Sequence, residues 1–154
     1  MQAQRRYSMN CMPGTYDTRV FIAGSYRLPS RIKDIAGVVT QCGYVSISAG
    51  DFEIPEGQER HYCIALLKEC KVAIFELSVE SGQLMELERA HDYMPITLCL
   101  WDKEDEKTPK ISGMVKSSPL FKQNNAGYKN TRELEFAVES FLRSATNRSE
   151  ALQS

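Results

Sequence analysis

The sequence predicts one α/β domain, a doubly wound parallel sheet of five short strands with helices on both faces. Short β-branched and aromatic runs alternate with segments whose apolar residues recur at helical spacing. Glycine, proline and polar clusters separate these segments. A length of 154 residues suits a single compact core. Strands that alternate with helices join through right-handed crossovers, which make the sheet parallel and cover both its faces.

The elements follow in order. Residues 1–18, "MQAQRRYSMNCMPGTYDT", have no period and contain Pro13-Gly14, so they read as a flexible extension ahead of a domain over residues 19–144. "RVFIAG" reads as the first strand. "SYRLPSRIKDIAGVVTQCG" reads as a helix, with Ile32, Ile35, Ala36 and Val39 on one side, Pro29 at its entry and Gly43 at its exit. "YVSIS" alternates as a second strand, and "AGDFEIPEGQ" is a loop broken by Pro55 and Gly57.

"ERHYCIALLKEC" places Cys63, Ile64 and Leu67 on one helical side, and "KVAIFEL" is a third, buried strand. The segment "SGQLMELERAHDY" is a helix with Ser81 as N-cap and Leu84, Leu87 and His91 along one face. "PITLCLW" is the fourth strand, Asp102–Lys110 a solvated charged loop, "ISGMV" a short helix and "PLFKQ" the fifth strand. "TRELEFAVESFLRS" closes the domain as a helix capped by Thr131, with Leu134, Val138, Phe141 and Leu142 periodic. Residues 145–154 read as a frayed tail. Phe21, Phe75, Phe136, Phe141 and Trp101 are assigned to the core.

Composition narrows the function classes. Nineteen basic residues stand against twenty acidic ones, so bulk charge gives no reason to expect nucleic acid or a membrane as partner. No apolar run reaches the length of a bilayer span, and the start lacks the apolar core of a signal peptide. Five cysteines form no C-x-x-C pair, and the two histidines lack ligand spacing. Reduced structural thiols, a cytoplasmic location and no metal are therefore expected.

In a doubly wound sheet, ligands bind beyond the carboxyl ends of the strands. Attention therefore falls on "AGSYR", "SAGDF", "ELSVESGQ" and "WDKED". In the first, Gly24 permits close approach of a ligand, while Ser25 and Arg27 offer a hydroxyl and a cation for phosphate or sugar oxygens. The competing reading is a plain turn with a surface arginine. In the third, Glu86 lies near a helix start, where the dipole should keep it ionised, beside the small residues Gly82 and Ala90. The competing reading is a solvated acid paired with Arg89 or Arg132. Glu88 reads as a surface acid and Glu80 as a loop residue.

The motifs "VFIAGSYR", "LLKECKVAIFELSVESGQLMELERA" and "ITLCLW…ISGMV", in this order, resemble the nucleoside 2-deoxyribosyltransferase superfamily. The likeness is nearest to its 2'-deoxynucleoside 5'-monophosphate N-glycosidase branch and runs from about Arg19 to Leu142. The resemblance implies a flavodoxin-like sheet, a homodimer with shared active sites, a small nucleotide or nucleoside as ligand, and no cofactor. It implies that Glu86 is the nucleophile, that Ser25 and Ser81 hold a 5'-phosphate, and that Ser112 reaches in from a partner subunit.

The implied reaction cleaves the N-glycosidic bond of (deoxy)nucleoside 5'-monophosphates through a glycosyl-glutamate, releasing the base and (deoxy)ribose 5-phosphate. The alternatives are a base-exchanging deoxyribosyltransferase and a nucleotide-binding protein of weakened activity. Two positions depart from the family pattern: Cys63 stands where an aspartate is usual, and Phe21 where a tyrosine is. Tyr26, His61 and Tyr62 are the candidates to substitute.

Overall fold

The structure is a computed structural model that describes residues 7–25, 27–79, 82–93, 95–103 and 111–153. Its centre is a five-stranded, all-parallel sheet: β1 (Arg19–Ala23), β2 (Val45–Ile47), β3 (Val72–Glu76), β4 (Ile96–Asp102) and β5 (Asn125–Tyr128). The spatial order is β2-β1-β3-β4-β5, the flavodoxin-like order. β1 pairs with β3 from Val20 opposite Val72 to Ala23 opposite Phe75, although residues 24–71, which hold α1, β2 and α2, lie between the two strands in the chain.

Both sheet faces are covered because the strands are apolar on both sides. On one face Val20, Ile22, Val72, Ile74, Leu98 and Leu100 pack against α1 (Pro29–Gln41) and α6 (Thr131–Gln153). On the other, Phe21, Ala73, Phe75 and Cys99 pack against α2 (Glu59–Lys68), α3 (Gln83–Tyr93), α4 (Gly113–Lys116) and α5 (Pro119–Gln123). Every residue of β3 is buried, as befits the middle strand. Burial of each large side chain there contributes about 1.5–3 kcal/mol before the entropy of ordering the chain is counted.

Several expectations are corrected. "PLFKQ" forms α5, with Pro119 at its first turn, and the fifth strand lies beyond it at Asn125–Tyr128. Pro119 presets a helical φ and has no N–H for a ladder, which outweighs the aromatic character of the run. Phe136 is 70% exposed, because Leu134, Val138 and Phe141 already fill the buried stripe of α6. That helix is capped by Asn130, whose Oδ1 accepts from Glu133 N at 2.9 Å, rather than by Thr131. It also continues through residues 145–153, where a frayed tail was expected.

Residues 7–18, expected to be free of the domain, are tied to it by main-chain hydrogen bonds. Tyr7 N donates to Asp51 O at 2.7 Å and Glu53 N to Tyr7 O at 2.9 Å. Arg19 Nε donates to Pro13 O at 2.8 Å, and Nη2 to Gly14 O at 2.7 Å. No hydrophobic period marks such a segment, so the sequence pattern did not show it. Among the described residues no helix is long and apolar enough to cross a membrane.

A buried polar group locks the carboxyl ends of β4 and β5 to α1. Arg31 Nη2 donates to Asp102 Oδ2 at 2.7 Å, and the Asp102 side chain is only 3% exposed. The guanidinium also lies over the Tyr128 ring, 5.6 Å from its centroid. We expect Arg31→Ala to lower the unfolding free energy by about 3 kcal/mol, read by urea denaturation, because it removes the cation from a desolvated carboxylate.

Candidate active site

Because β1 and β3 are neighbours, the loops that follow them stand side by side, and this is where the topology of the sheet reverses. A cavity of about 690 Å³ opens there. Its walls are Ala23 and Gly24 after β1, Ser48 to Asp51 after β2, Cys63 and Ile64 on α2, and Gly82, Gln83 and Glu86 at the start of α3. A groove of about 780 Å³ also runs along the β4–β5 edge against α6. It reaches back to Ile96, at the amino end of β4, away from the strand ends that the fold uses for ligands.

Glu86 stands in the first turn of α3 and lines the cavity. Its Oε2 is buried with no hydrogen-bond partner among the described residues. Burial pushes its pKa above the usual carboxylate range, against the opposing pull of its own backbone N–H and of the Cys63 thiol. The helix dipole was expected to keep this carboxylate readily ionised; desolvation is the larger effect. Among the described residues no ion pair reaches it: Arg89 pairs with Asp92 at 3.7 Å, and Arg132 lines the β5–α6 groove. The reading as a solvated, arginine-paired acid therefore fails.

Cys63 lies against Glu86 and is 6% exposed. Burial first, and the Glu86 carboxylate second, raise its thiol to about 11. At neutral pH it is thus a protonated, weak donor that favours the charged form of Glu86.

The turn before α3 is held by Gln83, a buried side chain whose Nε2 donates to Glu76 O at 3.1 Å and Val79 O at 2.6 Å. Beneath it, Glu76 Oε1 accepts from Ser78 N at 2.7 Å, and Ser78 Oγ accepts from Asp102 N at 2.8 Å. Burial raises the Glu76 pKa as well. These contacts fix the start of α3, and hence Glu86, relative to the sheet.

The sequence-derived candidates divide. Phe21, Gly24, Cys63, Gly82 and Glu86 line the cavity. Gly24 is closely packed: a Cβ there would meet Ile32 Cγ1 at 3.2 Å and Glu76 Cβ at 3.4 Å, so a larger residue would push its neighbours aside by a few tenths of an ångström. A Cβ at Gly82 would meet nothing within 4 Å, so this side of Glu86 is open. Ala90, expected to share that open face, is buried in the core.

Ser25 is 2% exposed and lies outside the lining, with its Oγ accepting from Arg27 N at 3.2 Å. Arg27 and His61 are exposed, and neither they nor Tyr62 line the cavity. Ser112 caps α4 by accepting from Val115 N at 3.4 Å and is likewise outside the lining. Tyr26, Glu80, Ser81 and most of the charged loop, residues 104–110, lie outside the described residues.

Sequence reasoning missed the roles of Gln83, Asp51, Glu59, Lys33 and Arg60, the last four of which carry charge into the cavity lining. Asp51 sits in "SAGDF", a segment the strand-end rule had selected without singling out a residue. Gln83 had no signal beyond being a polar residue at a helix start.

The fold and cleft define a flavodoxin-like α/β protein with a largely desolvated carboxylate in a cavity at the carboxyl edge of its sheet. No protein-family model matches the chain, and no curated protein matches it. Among solved structures, the CMP N-glycosidase BcmB of Clostridium botulinum is similar with a TM-score of 0.51 and 15% identity, over 77% of this chain and 95% of that one. The diflavin flavoprotein A3 of Nostoc sp. is similar with a TM-score of 0.55 and 10% identity, over 90% of this chain and 99% of that one. At such identities the likeness is one of fold.

The electrostatics make two predictions. The native state holds Glu86 with a raised pKa, so ionisation at neutral pH opposes folding. Glu86→Gln should therefore unfold at a higher temperature than wild type at pH 7. The gain should vanish as pH falls below the ordinary carboxylate range, where both side chains are neutral, as thermal melts across pH will show. Cys63→Ala removes a donor to the carboxylate. It should raise the Glu86 pKa further, read as an upfield-to-downfield titration shift of the side-chain carbon by NMR.

Proposed function

We propose that the protein is an N-glycosidase of (deoxy)nucleoside 5'-monophosphates with Glu86 as nucleophile. The observation that carries this reading is Glu86 itself, a residue that lines the cavity at the strand ends and whose buried Oε2 has no hydrogen-bond partner among the described residues. A carboxylate that has lost much of its hydration and makes no ion pair is a strong nucleophile once ionised. The resemblance of the motif around it, and the fold likeness to a protein described as a CMP N-glycosidase, support the same chemistry.

In this reading Glu86 attacks C1' of the sugar, and the base leaves with the electron pair of the N-glycosidic bond and takes up a proton from solvent. The resulting glycosyl ester is hydrolysed by water, which restores the carboxylate and frees (deoxy)ribose 5-phosphate. The start of α3, an 11-residue helix preceded by open Gly82, would face the 5'-phosphate, where the helix dipole and free N–H groups favour an anion. Ser81 would join it there. Ser25 would need to give up its turn contact to do so, and Ser112 would contribute only from the second subunit of a homodimer.

A second reading, a nucleotide-binding protein of weak turnover, is favoured by one observation. The group beside Glu86 is a thiol near 11, which neither donates nor accepts a proton readily at neutral pH. Base exchange in place of hydrolysis would identify a transferase.

The test is release of free base from each deoxynucleoside and ribonucleoside monophosphate, followed by chromatography. Glu86→Gln should lose at least about 1,000-fold in kcat, in the manner of other covalent nucleophiles. Undiminished release by that variant would overturn the assignment. Because only the ionised nucleophile attacks, kcat/KM should fall on the acid side through a pKa above the ordinary carboxylate range, and Cys63→Ala should move that limb to higher pH.

A further inference from the structure

The cavity has two chemically different ends. At one stands the start of α3, with Gly82 and Glu86; at the other is the loop after β2, with Ser48 and Asp51. In the order β2-β1-β3, β2 is two strand spacings from β3, so the two ends stand roughly 10 Å apart along the sheet edge. Base and 5'-phosphate leave a furanose at C1' and C4', on either side of the ring oxygen, and diverge. A nucleotide with C1' at Glu86 and its phosphate over α3 therefore sends its base toward the β2 loop.

Asp51 is held in place there. Its Oδ2 accepts from Ser48 Oγ at 2.9 Å, its N–H donates to Ser48 O at 3.0 Å, and its carbonyl accepts from Tyr7 N at 2.7 Å. The neighbouring Phe52 anchors the turn in the core at 2% exposure. Asp51 has no ion-pair partner among the described residues, and Glu59 also lines the cavity. Lys33 and Arg60 also line the cavity as exposed side chains.

An ionised carboxylate only accepts hydrogen bonds, so the base edge that meets it must donate. We infer that Asp51, oriented by Ser48, selects nucleobases with an exocyclic amino group over those with a carbonyl at the same position. This inference rests on the nucleotide reading above. Cytosine and adenine present the amine; uracil and hypoxanthine present an oxygen whose lone pairs oppose the carboxylate.

The experiment compares kcat/KM for dCMP against dUMP and for dAMP against dIMP, pairs that differ by one amino-to-oxo exchange. Wild type should favour the amino member on the order of 10- to 100-fold. Asp51→Asn, whose amide also donates, should narrow or invert both ratios. Ser48→Ala, which keeps the carboxylate but releases it, should narrow them less; it stands in for Asp51→Asn if that variant melts early.

Equal use of both members by wild type, or ratios unchanged in both variants, overturns the inference and leaves the glycosidase reading intact. If no monophosphate is cleaved, the same pairs are compared by calorimetric binding. An amino preference that Asp51→Asn abolishes then supports the inference and overturns the hydrolase. Absence of binding to every monophosphate overturns both.

Discussion

The pairing of β1 with β3 is the constraint on which the rest of this molecule depends. It joins strands that are far apart in the chain, so the connections through α1 and through α2 leave on opposite faces of the sheet. The carboxyl ends of β1 and β3 are then adjacent, and a cleft forms beside them as a consequence of topology. Every ladder bond of the middle strand, and both apolar layers, serve to hold that edge in one place.

The polar residues at this edge divide into a scaffold and an exposed site. Arg31, Ser78, Gln83 and Asp102 bond to one another, to Glu76 Oε1 or to the backbone, and they fix where β3 ends and α3 begins; Glu76 Oε2 is buried with no hydrogen-bond partner among the described residues, but Glu76 does not line the cavity. Glu86, one helical turn further, is largely desolvated and has no ion pair among the described residues. A carboxylate in that state raises the free energy of the native protein, and groups perturbed by burial cluster at functional sites, which is the ground for choosing Glu86 as the candidate. The thiol of Cys63 moderates the penalty without neutralising the charge, which keeps the carboxylate available.

Much of the fold was legible in the sequence for a simple reason. Ile35 and Val39 on α1, Leu134, Val138, Phe141 and Leu142 on α6, and the unbroken apolar run of β3 all follow the period of their element. "PLFKQ" and Phe136 misled because apolar character alone does not distinguish a strand from a short helix, or a buried stripe from its margin. Of the candidate site, Gly24, Cys63, Gly82 and Glu86 were readable from strand ends and motif order. Gln83 and Asp51 were not, because their contacts run to backbone groups and loop hydroxyls that carry no periodic signal.

The sequence by itself determined the alternation of strands and helices, the parallel sheet and the glutamate at the head of α3, since these depend on local periodicity and on crossover geometry. Only the tertiary structure decided how that glutamate is charged, which thiol it touches and which loop closes the far end of its cavity. Those properties arise from desolvation and from contacts between segments distant in the chain, and no local pattern of residues encodes either.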